Sequence, residues 1–214
     1  MSTPITPVSE AAASPPTFSF GGYATEEVGL AGITFWPRAG ARLIDYVLHY
    51  CVTYAAGFLF SLLVIAASGG HMPFWVLTKF RHAGLYGFVP GVVGFVIYSV
   101  ICVTMHGSTL GKRLISAVVV QESGIRCRMV PAVVRELAYF IDSLFFGLVG
   151  YLAMQKTYQE QRYGDQWART VVTKRANVIP EQLRGDGRFV VTLMLAVMTD
   201  AALGMIGLLI LIRS

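Results

Sequence analysis

The sequence predicts an all-α integral membrane protein with about four hydrophobic helical segments and a short two-strand β element in its basic loops. Apolar residues make up 55% of the 214 and charged residues only 14%, which is a membrane-protein composition. Several apolar runs are long enough to cross a hydrocarbon core of ~30 Å. Two runs rich in β-branched residues lie beside basic stretches, and these predict the strands.

The chain before the first apolar run, residues 1–33, is rich in Pro, Ser, Thr and Ala and contains no Lys or Arg. Without a basic n-region it is not a signal peptide, and its polar composition cannot bury a core. We therefore expect a disordered polar N-terminus that is dispensable for membrane insertion.

The first hydrophobic segment, about residues 38–67, begins with three ionisable residues. Pro37 suits the first position of a helix. Arg38, Arg42 and Asp45 follow at a spacing that places them on one side of that helix. A carboxylate inside a membrane helix costs roughly 2.5–3.5 kcal/mol on insertion scales, so Asp45 needs a partner or a water-filled cavity.

The second segment, about residues 85–105, is also long enough to span, and a block of small and basic residues follows it. This block invites comparison with a phosphate-binding loop. However, only three residues separate Gly107 from Gly111, and Arg113 stands where Ser or Thr is required. The spacing excludes nucleotide binding and leaves a basic loop block of Gly107, Gly111, Lys112 and Arg113.

Two β-prone runs flank the third apolar segment. Residues 117–120 end in a turn signal that includes Gly124, and residues 169–173 come after the segment. Isolated strands are unstable in a helical protein, so we expect the two runs to pair with each other.

The third apolar segment, residues 137–154, repeats the charge spacing of the first. Asp142 lies seven residues after Arg135, as Asp45 lies seven residues after Arg38. Pairing the two arginines with the two aspartates across the helices would reduce the cost of burying all four charges. We therefore expect these four residues to form one interior polar cluster.

The third segment fits two arrangements. If it crosses once, the positive charges divide almost evenly between the two sides and give no orientation. If it returns as a hairpin that turns near residues 147–150, residues 106–188 lie on one side with most of the Lys and Arg, and that side is cytoplasmic. The length favours one crossing slightly, because each half of a hairpin is too short to span.

A fourth apolar segment, residues 189–212, carries one acid, Asp200. It follows a basic region at residues 155–188, which we expect to be cytoplasmic.

Other functional classes find no support in the sequence. The pI near 9.2 comes from basic residues beside apolar runs, so it indicates lipid headgroups and membrane orientation rather than nucleic acid. The three cysteines and four histidines show no disulfide framework and no metal-ligand spacing, and no nucleophile–base pair is visible. We expect no enzymatic activity and no cofactor.

Three blocks, in order along the chain, resemble the RDD family of integral membrane proteins. They are residues 35–45, residues 107–120 with the Gly-Lys block and following strand, and residues 161–172. The resemblance implies that Arg38, Asp45 and Asp165 are the residues that give the family its name. It predicts a membrane domain at residues 34–176, and the chain departs from the family by adding a basic linker and an extra transmembrane helix at 177–214.

Members of that family are membrane proteins. Transport, including sodium–proton exchange, has been proposed for some, and others are membrane parts of larger assemblies. Two functions therefore stay open: transport of a cation or proton through an intramembrane Arg/Asp site, or a non-catalytic scaffold whose charges are structural. The candidate residues are Arg38, Arg42, Asp45, Arg135, Asp142, Asp165 and Asp200. We expect a multi-pass protein of a bacterial cytoplasmic (inner) membrane that contacts the lipid bilayer and acts as a homo-oligomer or with a membrane partner protein.

Overall fold

The computed structural model describes residues 30–71, 73–74, 84–179 and 188–213, so the N-terminal stretch predicted to be disordered lies almost entirely outside the described residues. The elements of the described chain are α1 Phe35–Ala67, α2 Gly84–His106, α3 Leu110–Leu114, β1 Ala117–Gln121, α4 Met129–Asp142, α5 Leu144–Met154, α6 Tyr163–Trp167, β2 Thr170–Lys174, a 3-10 turn Arg175–Asn177 and α7 Phe189–Arg213. The predicted fold class is confirmed.

Three helices, α1, α2 and α7, are long and apolar enough to cross a membrane. Helix α7 packs against both α1 and α2. Phe95, Tyr98 and Cys102 of α2 form a buried core with Ala196 of α7. Large apolar side chains such as Phe58 are exposed on the outer faces, which suits a surface in contact with lipid tails.

Strands β1 and β2 form an antiparallel sheet in which Ala117 pairs with Lys174 and Val119 with Val172. The predicted pairing of the two β-prone runs is therefore confirmed. The valines of both strands are buried, and the amide of Ile33 donates a hydrogen bond of 2.9 Å to the carbonyl of Val172. The chain consequently enters α1 directly beside this sheet.

The third apolar segment consists of two helices, α4 and α5, whose axes differ by 114°. The break falls at Ser143, and left-handed backbone follows at Phe145, Phe146 and Gly147, with φ of 51°, 58° and 88°. This conformation suits glycine and is uncommon for phenylalanine. The reversal thus begins earlier in the chain than the predicted turn at 147–150.

The helical pair enters and leaves on the same side of the membrane. Strand β1 precedes α4, strand β2 follows α5, and the two strands are hydrogen-bonded to each other. A single crossing would place the strands on opposite sides. The slight preference for one crossing is therefore wrong, and α4 and α5 form a re-entrant hairpin.

The membrane helices also have their ends fixed relative to the sheet. The amide of Val119 in β1 bonds the carbonyl of Gly107 just after α2, and His106 Nε2 lies 2.9 Å from Thr192 Oγ1 near the start of α7. The start of α1, the end of α2 and the start of α7 therefore share the sheet side. The far end of α7 reaches the other side.

Cysteine labelling tests this topology. In a chain whose native cysteines are replaced, we expect Ser123→Cys after β1 and Asn177→Cys after β2 to react with a membrane-impermeant maleimide from one side. Ser68→Cys at the far end of α1 should react from the other side. Reaction of Ser123→Cys and Asn177→Cys from opposite sides would contradict the hairpin.

Candidate functional site

Buried polar side chains gather at the sheet side of the membrane helices, where α3 contacts α1 and where α4 contacts α2 and α6. Charged groups that are buried require ion pairs or several hydrogen bonds. At this location, ion pairs and hydrogen bonds surround three carboxylates, those of Asp165, Asp45 and Glu136.

Asp165 of α6 binds arginines from two other helices. Arg38 Nη1 of α1 lies 2.9 Å from Asp165 Oδ2, and Arg135 Nη2 of α4 lies 3.0 Å from Asp165 Oδ1. Burial opposes ionisation of this carboxyl, but the guanidinium groups of Arg135 and Arg38 outweigh burial and hold the pKa of Asp165 below its usual value. One carboxylate therefore connects α1, α4 and α6.

The predicted pairing of the two arginines with Asp45 and Asp142 is wrong. Both guanidinium groups bind Asp165, which lies in a short helix between the hairpin and β2. The repeated seven-residue spacing correctly placed each arginine on an inward-facing surface. It could not identify a partner that lies outside the apolar segments.

Asp45 is completely buried and accepts three hydrogen bonds. The donors are Thr109 Oγ1 at 2.6 Å, the Gly111 amide at 2.8 Å and Tyr98 Oη at 3.1 Å. Gly111 packs directly on the backbone of Ala41, where a Cβ atom would overlap the Ala41 carbonyl. The Gly-Lys block therefore docks α3 on α1, and Asp45 is the acceptor that holds it.

Arg42 pairs with Glu136, a residue that the sequence analysis did not select. Arg42 Nη2 lies 2.7 Å from Glu136 Oε2, and Arg42 Nη1 donates to Ser99 Oγ at 3.2 Å. The guanidinium also faces the rings of Tyr139 and Phe95, at 4.2 and 4.5 Å from their centroids. A glutamate directly after Arg135, at the entrance of an apolar helix, was the available sequence signal.

The other two predicted aspartates lie apart from this network. Asp142 Oδ2 accepts the amide of Gly164 at 3.2 Å, so this residue anchors α6 on the hairpin. Asp200 of α7 lies 2.6 Å from Nδ1 of His49 on α1. His49 was not selected from the sequence, because a histidine in an apolar run shows no partner there.

The basic loop block contributes one half-buried ammonium and one stacked guanidinium. Burial lowers the pKa of Lys112 to about 8; Glu136 and Asp45 oppose the decrease, and neighbouring arginines add to it. Arg113 lies 4.2 Å from the centroid of Phe189 at the start of α7. A cavity of about 30 Å³, with room for roughly one or two water molecules, touches Lys112 and both arginines of α1.

A larger cavity of about 360 Å³ opens between α1, α2 and α4. Aromatic side chains supply much of its wall, and the ionisable groups that reach it include Arg42, Glu136 and His49. A second cavity of about 520 Å³ lies on the other side of Arg42 and Tyr139 and is lined by residues of α1 and the hairpin. The Arg42–Glu136 pair therefore borders the cavity of about 360 Å³. Asp165 is held by its arginines, and Asp45, with three donors, borders only the cavity of about 30 Å³.

These features define a multi-pass integral membrane protein in which a re-entrant hairpin and a buried ion-pair network are joined to a small sheet. The sequence profile of the RDD family matches residues 33–169, more than half of the chain, so the protein belongs to the RDD family. The resemblance found in the three sequence blocks is thereby confirmed. No curated protein and no solved structure matched the chain.

Replacing the central carboxylate should unfold the network. We expect Asp165→Asn to lower the free energy of unfolding by about 3–5 kcal/mol, because two buried guanidinium groups lose their counter-ion. Arg38→Gln should cost much less in that background than in the wild type. Thermal unfolding in detergent, measured as a double-mutant cycle, gives the coupling. The control pair is Arg38→Gln with Asp200→Asn, which should be additive, because Asp200 pairs with His49 and not with the residues around Asp165.

Lys112 predicts a pH dependence of stability. Its pKa is about 8 in the folded protein and 10.5 when unperturbed, so its charge destabilises the fold below about pH 8 and the penalty disappears as pH rises to 10.5. Lys112→Met should therefore raise the free energy of unfolding by roughly 1–3 kcal/mol at neutral pH. The gain should shrink over that range in unfolding curves. A gain independent of pH would contradict this assignment.

Proposed function

We propose that the protein transports a proton or a small cation across the membrane through the cavity between α1, α2 and α4. The observation that carries this proposal is the Arg42–Glu136 pair at the cavity wall. An ionisable pair that borders open space inside a membrane protein is typical of ion pathways, because an isolated charge there would be very costly. No enzymatic step is part of this proposal.

Glu136 is the carboxylate that an entering cation would meet. In the resting arrangement Arg42 neutralises it at 2.7 Å, while the rings of Tyr139 and Phe95 offer the guanidinium a second favourable environment. A cation that binds Glu136 would replace Arg42, and the guanidinium would stay over these rings. This exchange leaves the guanidinium as one extra positive charge, which the faces of the Tyr139 and Phe95 rings stabilise.

The residues that name the family have a different role in this proposal. Asp45 accepts three hydrogen bonds, and Asp165 binds two arginines. Releasing either carboxylate for transport would break several buried contacts at once. We infer that these two residues hold the helices in place and that ions move beside them.

The many contacts of Asp45 and Asp165 also favour a second candidate function, that of a non-catalytic membrane scaffold. In that case the Arg42–Glu136 pair would also be structural, and the basic chain between α2 and α7 would dock a partner protein or anionic lipid. The two candidates differ in one measurable property, since a scaffold carries no ions.

The proposed orientation follows from the distribution of charge. Most Lys and Arg residues lie between His106 and Phe189, whereas the connection between α1 and α2 contains Lys79 and Arg81. The positive-inside rule therefore assigns the sheet side to the cytoplasm. We propose a location in a bacterial inner membrane and, because three membrane helices form a small unit, a homo-oligomer or an assembly with a membrane partner.

Ion flux into proteoliposomes of the purified protein tests transport. We expect the wild type to dissipate an imposed proton or sodium gradient, followed with pH-sensitive and sodium-sensitive dyes. Glu136→Gln should reduce the rate at least tenfold. Glu122→Gln is the matched control, because Glu122 binds Gln161 near the sheet and lies away from the cavity. This control should transport as the wild type does.

Folding must be monitored in the same preparations. Glu136→Gln leaves Arg42 without its counter-ion, so a variant that aggregates gives no information about transport. The double variant Arg42→Gln/Glu136→Gln removes both charges and should fold better while still lacking flux. Wild-type flux at the level of empty liposomes would contradict transport and favour the scaffold.

A further inference from the structure

A second polar pair lies deeper in the membrane part than the Arg/Asp network. His49 of α1 and Asp200 of α7 are both buried, with 2.6 Å between Nδ1 and Oδ2. At a rise of 1.5 Å per residue, Asp200 lies roughly 16 Å along α7 from Phe189, about halfway through a ~30 Å core. An acid at this depth requires a compensating partner or proton.

The neighbouring helix is shaped to accommodate this acid. A Cβ atom at Gly94 of α2 would collide with the Asp200 carboxylate, so only a residue without a side chain leaves the necessary room. On the other side, the His49 ring makes an edge contact with Phe95 at 5.3 Å. Helices α1, α2 and α7 thus enclose the pair between them.

The pair is connected to the transport cavity through its histidine. His49 lines the cavity of about 360 Å³, and its Nε2 lies 3.7 Å from the position of a Cβ atom on Gly91, which lines the same cavity. Asp200 lies behind the ring, in a closely packed region that it shares with Tyr98. A proton that arrives from the cavity therefore reaches the imidazole before the carboxylate.

Ionisable side chains of three helices lie near the pair. Those that border the same cavities are Arg42, Tyr46 and Tyr50 on α1, Tyr98 on α2, and Glu136 and Tyr139 on α4. Arg42 and Glu136 neutralise each other, and Tyr98 donates its hydroxyl to Asp45. Among the described residues, this leaves His49 as the direct ion-pair partner of Asp200.

We propose that His49 and Asp200 form an intramembrane proton-binding site that exchanges protons with the cavity. Without the proton, a neutral imidazole faces a carboxylate and the pair has one negative charge. Adding one proton gives an imidazolium–carboxylate pair, or its tautomer with a neutral imidazole and a carboxylic acid, and the net charge becomes zero. In a low-dielectric interior the neutral pair is the less costly state.

The role of this site in transport rests on the proposed function, which the site makes more specific. This proposal identifies the proton as an ion that the cavity exchanges and places its site on α7, beyond the part of the chain that matches the family. Proton uptake by the pair can be measured whether or not ions are transported, so the two proposals can fail separately.

The experiment uses the full-length protein in liposomes, with histidine ¹⁵N NMR and carboxyl infrared spectra recorded across the pH range in which histidine and carboxyl groups titrate. We expect a titration that is absent in His49→Gln. In Asp200→Asn, the carboxyl band assigned to the pair should be absent from the infrared spectra. His106→Gln is the matched control, since His106 also pairs with α7, through Thr192, and should leave the titration unchanged.

Proton flux supplies the second arm. We expect Asp200→Asn and His49→Gln each to lower wild-type proton flux at least tenfold, while His106→Gln stays close to the wild type. Absence of any titration assigned to the pair would overturn the proton site, even if the protein transports ions. Titration without wild-type flux would support the site and reject the proposed function. If Asp200→Asn does not fold, the histidine variants alone decide the assignment.

Discussion

The fold depends on the Asp165 carboxylate, because this group binds guanidinium groups from both α1 and the hairpin. Arg38 and Arg135 would repel each other if they were brought together alone, and Asp165 reverses that repulsion at 2.9 and 3.0 Å. Its own position is fixed by α6, which leads directly into β2. The sheet and the ion pairs therefore impose the same constraint on the hairpin.

The cavity is a consequence of this constraint. Arg135 and Glu136 are adjacent on α4 and point about 100° apart, so anchoring the first on Asp165 directs the second toward α1. Glu136 then meets Arg42, one helical turn beyond Arg38. Aromatic rings line much of the wall of the space between α1, α2 and α4.

The sequence was sufficient for properties that depend on local pattern and insufficient for those that depend on contacts between distant segments. Apolar length identified the membrane helices, and β-branched runs identified a sheet whose pairing was then the only economical choice. Asp45 was recognised because a charge in an apolar run is conspicuous. Its donors, such as the Gly111 amide, and the His49–Asp200 contact could not be predicted, since no spacing rule connects residues on separate helices.

Helix α7 lies outside the segment that matches the family. It adds a second polar pair, deeper in the membrane part, to the ion pairs near the sheet. Near the sheet, Asp165 and Asp45 are each held by several fixed partners, and changing their protonation would release helices from one another. The His49–Asp200 pair lies deeper and contacts apolar and aromatic neighbours, so a change in its charge breaks no link between the hairpin and α1. A protein that must bind and release an ion without unfolding needs this separation. In the proposed transporter, the residues that hold the helices together are therefore different from those whose charge varies.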